Sequence, residues 1–319
     1  MDNDRDGERI AKRLARAGVA SRRDAERMIA EGRVRLNGRV LDTPAVVVTD
    51  ADRIEVDGRP LAAAEPPRLW RYHKPAGLVT TARDEKGRDT VFDHLPPDMP
   101  RVMSVGRLDL TSEGLLLLTN DGEIKRRLEL PSTGWVRKYR VRAHGAPSDA
   151  AMDLLRAGVT IDGERFKPMS VTLDKVQGAN SWLTIGLREG KNREIRRAME
   201  HIGLTVNRLI RVSYGPFQLG DLPEGAVEEV KGKVLADQLG LARETVRRAP
   251  AAAAKPAAAK PAAAKPAAAR PDAARPDAGR AARRPGPPRP AKPGPDKPRP
   301  DGPPRPTGGK PDAPRRRRP

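Results

Sequence analysis

Cysteine is absent from this 319-residue chain, and aromatic residues are scarce, with three Trp, three Tyr and three Phe. Without cysteine there is no disulfide scaffold, no Cys-ligated zinc or iron–sulfur centre and no thiol nucleophile. The four histidines, at 73, 94, 144 and 201, are too scattered for metal-ligand spacing. Gly186 to Asn192 is not a P-loop: three residues separate its glycines instead of four, and Asn192 stands where a Mg²⁺-binding hydroxyl belongs. No metal and no cofactor are therefore expected. No apolar run is long enough to span a bilayer. The opening MDNDRDGERIAKRL alternates charges where a signal peptide carries an apolar stretch. The expectation is a soluble, cytoplasmic protein with no membrane partner.

Positive charge is abundant: 62 Lys and Arg stand against 42 Asp and Glu, for a net charge of +20. Pro250 to Pro319 holds 18 basic and 5 acidic residues, 20 of the 33 prolines and no aromatic residue. Proline at every fifth position breaks helices, and KPAAA repeats offer nothing to pack. Residues 249–319 are thus expected to form a disordered basic tail. Its cations could tether RNA with salt-dependent affinity, or the tail could be a tolerated low-complexity extension. The body before it is also net basic, with 44 basic and 37 acidic residues, so a polyanion, nucleic acid first, is the expected partner.

Composition divides the chain into a flexible 1–7, an Arg-rich module at 8–60, a linker at 61–67 (LAAAEPP), a main domain at 68–248 and the tail at 249–319. In the first module Ile10, Leu14 and Ala17 share a helical face, and Gly18 ends that helix. Ser21 with Asp24 resembles a capping box opening a second helix to Glu31, with Gly32 as its stop. Asn37-Gly38 then marks a two-residue hairpin. Arg9, Lys12, Arg13, Arg16, Arg22, Arg23, Arg27, Arg33 and Arg35 cluster within about thirty residues. Arginine offers a planar fork suited to phosphate, so these are read as RNA contacts. The stretch ERIAKRLARAGVASRRDAERMIAEGRVRLNGRVL resembles the S4 RNA-binding domain over residues 8–55.

In the main domain, His73-Lys74-Pro75-Ala76-Gly77 leaves a strand for a turn. Val105-Gly-Arg-Leu-Asp109 is a polar loop before the apolar strand Leu115–Leu118, and Asn120-Asp121-Gly122 opens a helix near Glu123. Glycines 106 and 114 let the backbone bend closely around a ligand. By spacing alone Asp109 reads as a turn cap; a reactive carboxylate would need a cationic partner to keep it ionised. Arg193, Arg196 and Arg197 fall within one helical turn, with Arg193 and Arg196 on one face. Phosphate contact is the alternative for these arginines. Alternation places Tyr139 and Val141 on one face of a strand, which suits a core residue equally well. Trp70, Trp135, Trp182, Phe92, Phe166 and Phe217 are read as core.

Together the motifs at 73–77, 105–109, 114–122, 137–141, 189–197 and 208–216 resemble the ribosomal-RNA pseudouridine synthases that carry an N-terminal S4 domain, over about residues 8–235. The resemblance implies an α+β fold: a small S4 domain, then a catalytic domain on a mixed, largely antiparallel sheet with an RNA cleft across it. It implies that Asp109 is the catalytic aspartate, that Arg107 helps hold the flipped nucleotide, that Tyr139 stacks on the target base, that Arg196 pairs with the aspartate, and that Leu209 lines the pocket. Lys74, Lys191, Arg193 and Arg197 are read as RNA contacts. Ala198 departs from the family, where a larger apolar residue is expected; Met199 could fill the space. The implied reaction, uridine to pseudouridine, breaks a glycosidic bond, turns the base and rejoins it through carbon. Asp109 would act covalently on base or sugar, or remove a sugar proton; the residues leave these routes open. The motif wording favours large-subunit (23S) over small-subunit (16S) rRNA, and a monomer is expected. Two other functions are weighed. A non-catalytic ribosome-assembly factor would not need Asp109, Tyr139 and Arg196 together, and a two-carboxylate hydrolase lacks a second acid on a different element.

Overall fold

The computed structural model describes residues 7–130, 134–242 and 245–246; the first six residues and the expected tail lie outside the described residues. The chain enters through β1 (Glu8–Arg9), α1 (Ile10–Arg16) and α2 (Arg22–Ala30). Spacing of three and four residues lets α1 bury Ile10 and Leu14 while its cations face outward. Gly18, at φ +77°, ends the turn after it. The Ser21 hydroxyl accepts the Asp24 N–H at 3.1 Å, a cap worth about 1 kcal/mol. Then come β2 (Val34–Leu36), β3 (Arg39–Val40), β4 (Val47–Val48), β5 (Ile54–Val56) and β6 (Arg59–Pro60). Asn37 (φ 51°) and Gly38 (φ 84°) both take the left-handed conformation that a two-residue hairpin turn needs to match strand twist. The strands form an antiparallel sheet in the order β3-β2-β5-β6, and β4 pairs with β1. Ile10, Leu14, Ile29, Val34, Val48 and Ile54 make the core.

Residues 61–67 carry no helix or strand. The second part begins with β7 (Leu69–Lys74), β8 (Met103–Val105), β9 (Glu113–Thr119), α3 (Gly122–Glu129), β10 (Arg137–His144) and α4 (Asp149–Ala157). It continues with the hairpin β11 (Thr160–Ile161) and β12 (Glu164–Arg165), then β13 (Ser170–Gln177), β14 (Asn180–Leu187) and α5 (Glu194–His201). Last come β15 (Thr205–Tyr214), β16 (Phe217–Gln218), β17 (Val227–Glu229) and α6 (Gly232–Leu239). The main sheet runs β13-β14-β10-β15-β9-β7-β17, with β8 added to β9 and β16 to β15. Every pairing is antiparallel except β9 with β15. The class is α+β, with a mixed and largely antiparallel sheet.

The four leucines of β9 belong to a central strand covered on both faces, so the run is continuous instead of alternating. Leu115 and Leu117 pack with Ile124 and Leu128 of α3 and Leu235 and Leu239 of α6. Leu116 and Leu118 pack with Trp70, Tyr72, Val91 and Val102 on the other face. A third core joins β10, β13 and β14 to α4 and α5, and Ala198 and Met199 are both fully buried there. Trp182 departs from the core reading. Its neighbours Ser181 and Leu183 point inward, so the indole turns to the opposite face and takes the Arg140 guanidinium over its ring at 4.9 Å. No helix among the described residues is long and apolar enough to cross a membrane.

Candidate active site

Seven residues join the end of β8 at Val105 to the start of β9 at Glu113, and Arg107 and Asp109 lie among them. Gly106 takes φ +66° and donates its N–H to the Glu129 carboxylate at 2.6 Å. Five successive carbonyls of this loop each have a donor. That of Leu108 accepts the Thr80 hydroxyl at 2.9 Å, and that of Asp109 the Ser112 N–H at 3.0 Å. That of Leu110 accepts the Gly77 N–H at 2.8 Å. Thr111 accepts the Arg196 guanidinium at 3.1 Å, and Ser112 the Lys74 amine at 2.9 Å. With these five carbonyls engaged, the backbone that presents Asp109 is held in place before any ligand arrives.

Lys74 is therefore not the surface RNA contact expected from sequence. It is fully buried, and its amine donates to the carbonyls of Pro75 and Ser112 at 2.8 and 2.9 Å. Strand alternation explains this: Trp70, Tyr72 and Lys74 share one covered face of β7. Burial pushes the Lys74 amine down to about 8, against the opposing pull of Asp109 and Glu113.

Asp109 is half-buried and Arg107 is exposed beside it. Both line a cleft of about 250 Å³ whose far wall is formed by Tyr139 of β10 and Leu209 and Arg211 of β15. Four of the five expected active-site residues, Arg107, Asp109, Tyr139 and Leu209, thus share one cleft. Arg196 stands behind the loop. Its guanidinium donates to the carbonyls of Thr111 and Val206 at 3.1 and 3.2 Å, without a direct ion pair to Asp109. Burial lowers the Arg196 pKa, as does Arg193, while Asp109 opposes them. The residue is half-buried and electrostatically coupled to the carboxylate through the loop it supports. Arg193 and Arg196 do not share a helical face. Arg193 precedes α5 at φ 49° in the left-handed conformation, so the three-residue spacing is not a helical one.

The other expected RNA contacts divide by exposure and partner. Arg9, Arg22, Arg23 and Arg35 are exposed. Arg27 pairs with Asp24, Arg33 with Glu31 and Asp57, and Arg13 with Glu8 and Asp50. Lys191 donates to the Arg165 carbonyl and lies 3.4 Å from Glu164. Arg197 meets Glu164 at 2.5 Å, and its guanidinium lies 4.7 Å from the Phe166 ring centroid. Such pairs hold a cation's position and are each worth about 0–1 kcal/mol at a surface.

A groove of about 590 Å³ runs between the two parts, with Lys12, Arg16 and Arg22 on one side and Arg101, Lys125 and Arg126 on the other. Lys12 closes one end on Glu123 at 2.6 Å. Lys125 also lines a basin of about 510 Å³ that contains Arg107 and Asp109. One basic track thus leads from α1 along α3 to the carboxylate.

Several cleft residues were not singled out from sequence. Arg211 is 2 % exposed, donates to the Leu115 carbonyl at 2.7 Å and faces the Tyr214 ring. Arg137 donates to the Tyr214 hydroxyl at 2.9 Å, which in turn donates to the Leu128 carbonyl at 2.9 Å. Glu194 forms part of the same wall. Among the described residues no group of three His, Asp or Glu side chains is placed to hold a metal.

Residues 68–201 match the family model for RNA pseudouridylate synthase, and residues 8–54 match the S4 domain. The chain's class is that of isomerases acting on RNA. A Rickettsia felis protein called an uncharacterized RNA pseudouridine synthase is 48% identical over 228 residues, covering 72% of this chain and 99% of that one. The ribosomal large subunit pseudouridine synthase B of Yersinia pestis is 40% identical over 254 residues, covering 76% of this chain and 80% of that one. A crystal structure of a pseudouridylate synthase shares the fold, with a TM-score of 0.51 and 24% identity over 72% of this chain and 99% of that one. This chain belongs to the RNA pseudouridine synthase family, with an S4 domain at its N-terminal side.

Proposed function

We propose that this enzyme converts one uridine of large-subunit ribosomal RNA to pseudouridine in the cytoplasm, as a monomer, with Asp109 as the catalytic carboxylate. The carrying observation is Asp109 itself, held on a loop whose carbonyls from Leu108 to Ser112 are all hydrogen-bonded, in a cleft faced by an aromatic ring. The similarity to the Yersinia pestis large-subunit enzyme supports the choice of RNA. The basic track supports a path for the RNA backbone, whose phosphates fix register without reading sequence.

A cleft of this size takes a nucleotide and not a duplex, so the target uridine must leave its stack, at a cost of a few kcal/mol. Tyr139 offers a stacking face that offsets about 1–3 kcal/mol of this. In the reaction the bond from the ribose C1′ to N1 of uracil breaks and a bond from C1′ to C5 forms; N1 gains a proton and C5 loses one. Asp109 as nucleophile or as base needs to be ionised, and Lys74 and Arg196 place positive charge behind it. The covalent and proton-abstracting routes share this need for an ionised carboxylate.

The test is a map of pseudouridine in both ribosomal RNAs of cells lacking the gene, complemented by wild type or by Asp109→Asn. Loss of one large-subunit site, restored by wild type alone, is the expected result. A lost small-subunit site would overturn the choice of RNA, and unchanged maps would overturn the ribosomal substrate.

A further inference from the structure

Glu194, the first residue of α5, is 3 % exposed and is the most deeply buried acidic residue among the described residues. One carboxyl oxygen, Oε2, accepts the Lys191 N–H at 2.9 Å. This bond closes the turn in which Arg193 is held at φ 49°. The other oxygen, Oε1, is buried without a hydrogen-bond partner. That is a costly arrangement for a carboxylate, which has two acceptor oxygens to satisfy, and a much milder one for a neutral acid.

Charged groups of both signs surround it. On its own loop are Glu189, Lys191 and Arg193; from β10 comes Arg137, and from β15 Arg211 with the Tyr214 hydroxyl. The loop before β9 contributes Arg107 and Asp109, and α3 contributes Glu129. Arg137 donates to Tyr214 and to the Glu189 carbonyl, and Arg211 donates to Leu115. None of these cations forms an ion pair with Glu194. Burial raises its carboxyl to about 7, and the neighbouring Glu189 adds to the rise, while the N–H and the ammonium charge of Lys191 oppose it.

We propose that Glu194 is a positioning residue that works as a neutral, amide-like group, pinning the Lys191–Arg193 turn and the start of α5 so that Arg196 stays against Thr111 behind Asp109. Arg196 lies two residues further along the helix, and its guanidinium touches the Asp109 loop directly. A charge on Glu194 therefore disturbs the first turn of α5 and, through it, the loop. The role rests on the synthase reading above, but its protonation state does not. Bound RNA adds phosphate charge, which favours the neutral acid further and shifts the loss of kcat to higher pH than that of kcat/KM.

Two measurements on the full chain test this. In the first, thermal unfolding of wild type and Glu194→Gln is followed from about pH 5 to about pH 8, without RNA. A carboxyl whose pKa rises on folding makes the native state hold the extra proton between the two values, so wild type loses stability as pH climbs from 4.5 to about 7. The Tm of the Gln variant is expected to pull ahead across that window. A pH-independent Tm difference would overturn the proposal even if no RNA substrate were found.

In the second, kcat/KM is measured against pH on the mapped RNA. Wild type is expected to fall by about tenfold per pH unit above its break. Glu194→Gln keeps the acceptor and the neutral charge and stays level until the Lys74 amine titrates near 8, whereas Glu194→Ala, which lacks the acceptor, is slow throughout. Lys74 titrates near 8 beside Asp109. A break unchanged in Glu194→Gln would assign it to Lys74 and refute the role given to Glu194.

Discussion

The Lys74 amine sits 2.9 Å from the Ser112 carbonyl oxygen, which ties the last residue of β7 to the turn that presents Asp109. The hydrogen bond spans 38 residues and joins two loops that flank the same carboxylate. A buried cation there serves the backbone and, at longer range, the charge of Asp109.

Lys74→Met keeps the length of the side chain and removes the donor. Two carbonyls then go without their partner, at about 1–3 kcal/mol each, partly offset by relief of a desolvated charge. Turnover is expected to fall at least tenfold while RNA affinity holds, the reverse of what a phosphate-binding lysine would show. The amine titrates near 8 in the folded chain against 10.5 for an ordinary lysine, so the unfolded chain holds more protons between those values. Wild type should accordingly gain stability relative to the Met variant as pH rises from about 8 to about 10.5, measured by urea unfolding.

Thr80→Val is a near-isosteric change at a buried position. It removes the hydroxyl that donates to the Leu108 carbonyl at 2.9 Å and accepts the Leu108 N–H at 3.4 Å. The expected cost is about 1–3 kcal/mol of stability. Kinetics should show a lower kcat at nearly constant KM, because the loop and not the RNA surface is disturbed.

Gly114 is paired with Arg211 at the parallel seam. A Cβ there would meet the Arg211 carbonyl oxygen at 2.4 Å, at φ +100°. Gly77 has φ +94° but open space around it. Gly77→Ala is therefore expected to cost about 1–3 kcal/mol from backbone strain alone. Gly114→Ala adds a backbone clash and should cost distinctly more, read as a larger drop in Tm.

Arg101 and Arg126 are exposed in the groove between the two parts. Replacing either by alanine should weaken RNA binding and make the plot of log affinity against log salt shallower, by about 0.7–0.9 for each phosphate no longer neutralised. Turnover at saturating RNA should be unchanged. A slope equal to that of wild type would take the groove out of the RNA path.

Local signals were legible in the sequence because local chemistry decides them. Asn37-Gly38 could be read as a hairpin since few residues tolerate positive φ in succession. Asp121 likewise marked a helix start and accepts the N–H groups of Glu123 and Ile124. The cleft was legible through motifs at Arg107, Asp109, Tyr139 and Leu209. What escaped depends on tertiary context. Lys74 reads as a surface cation until β7 is known to be covered. Arg193 reads as helical until its left-handed backbone is seen. Trp182 reads as core until its strand's alternation is fixed. Arg211 could have been found: it stands two residues after Leu209, so a strand there places both on one face.

No short segment of this chain contains the site. Thr80, Asp109, Tyr139, Arg196 and Leu209 are spread over about 130 residues of sequence and meet only where β9 lies parallel to β15. That pairing joins positions nearly a hundred residues apart, and such pairings are slow to form because loop closure precedes any reward. During refolding, far-ultraviolet circular dichroism should recover first, with helices and hairpins. Turnover should return only in the final phase, when the distant strands close, which makes activity a clock for the last step of folding.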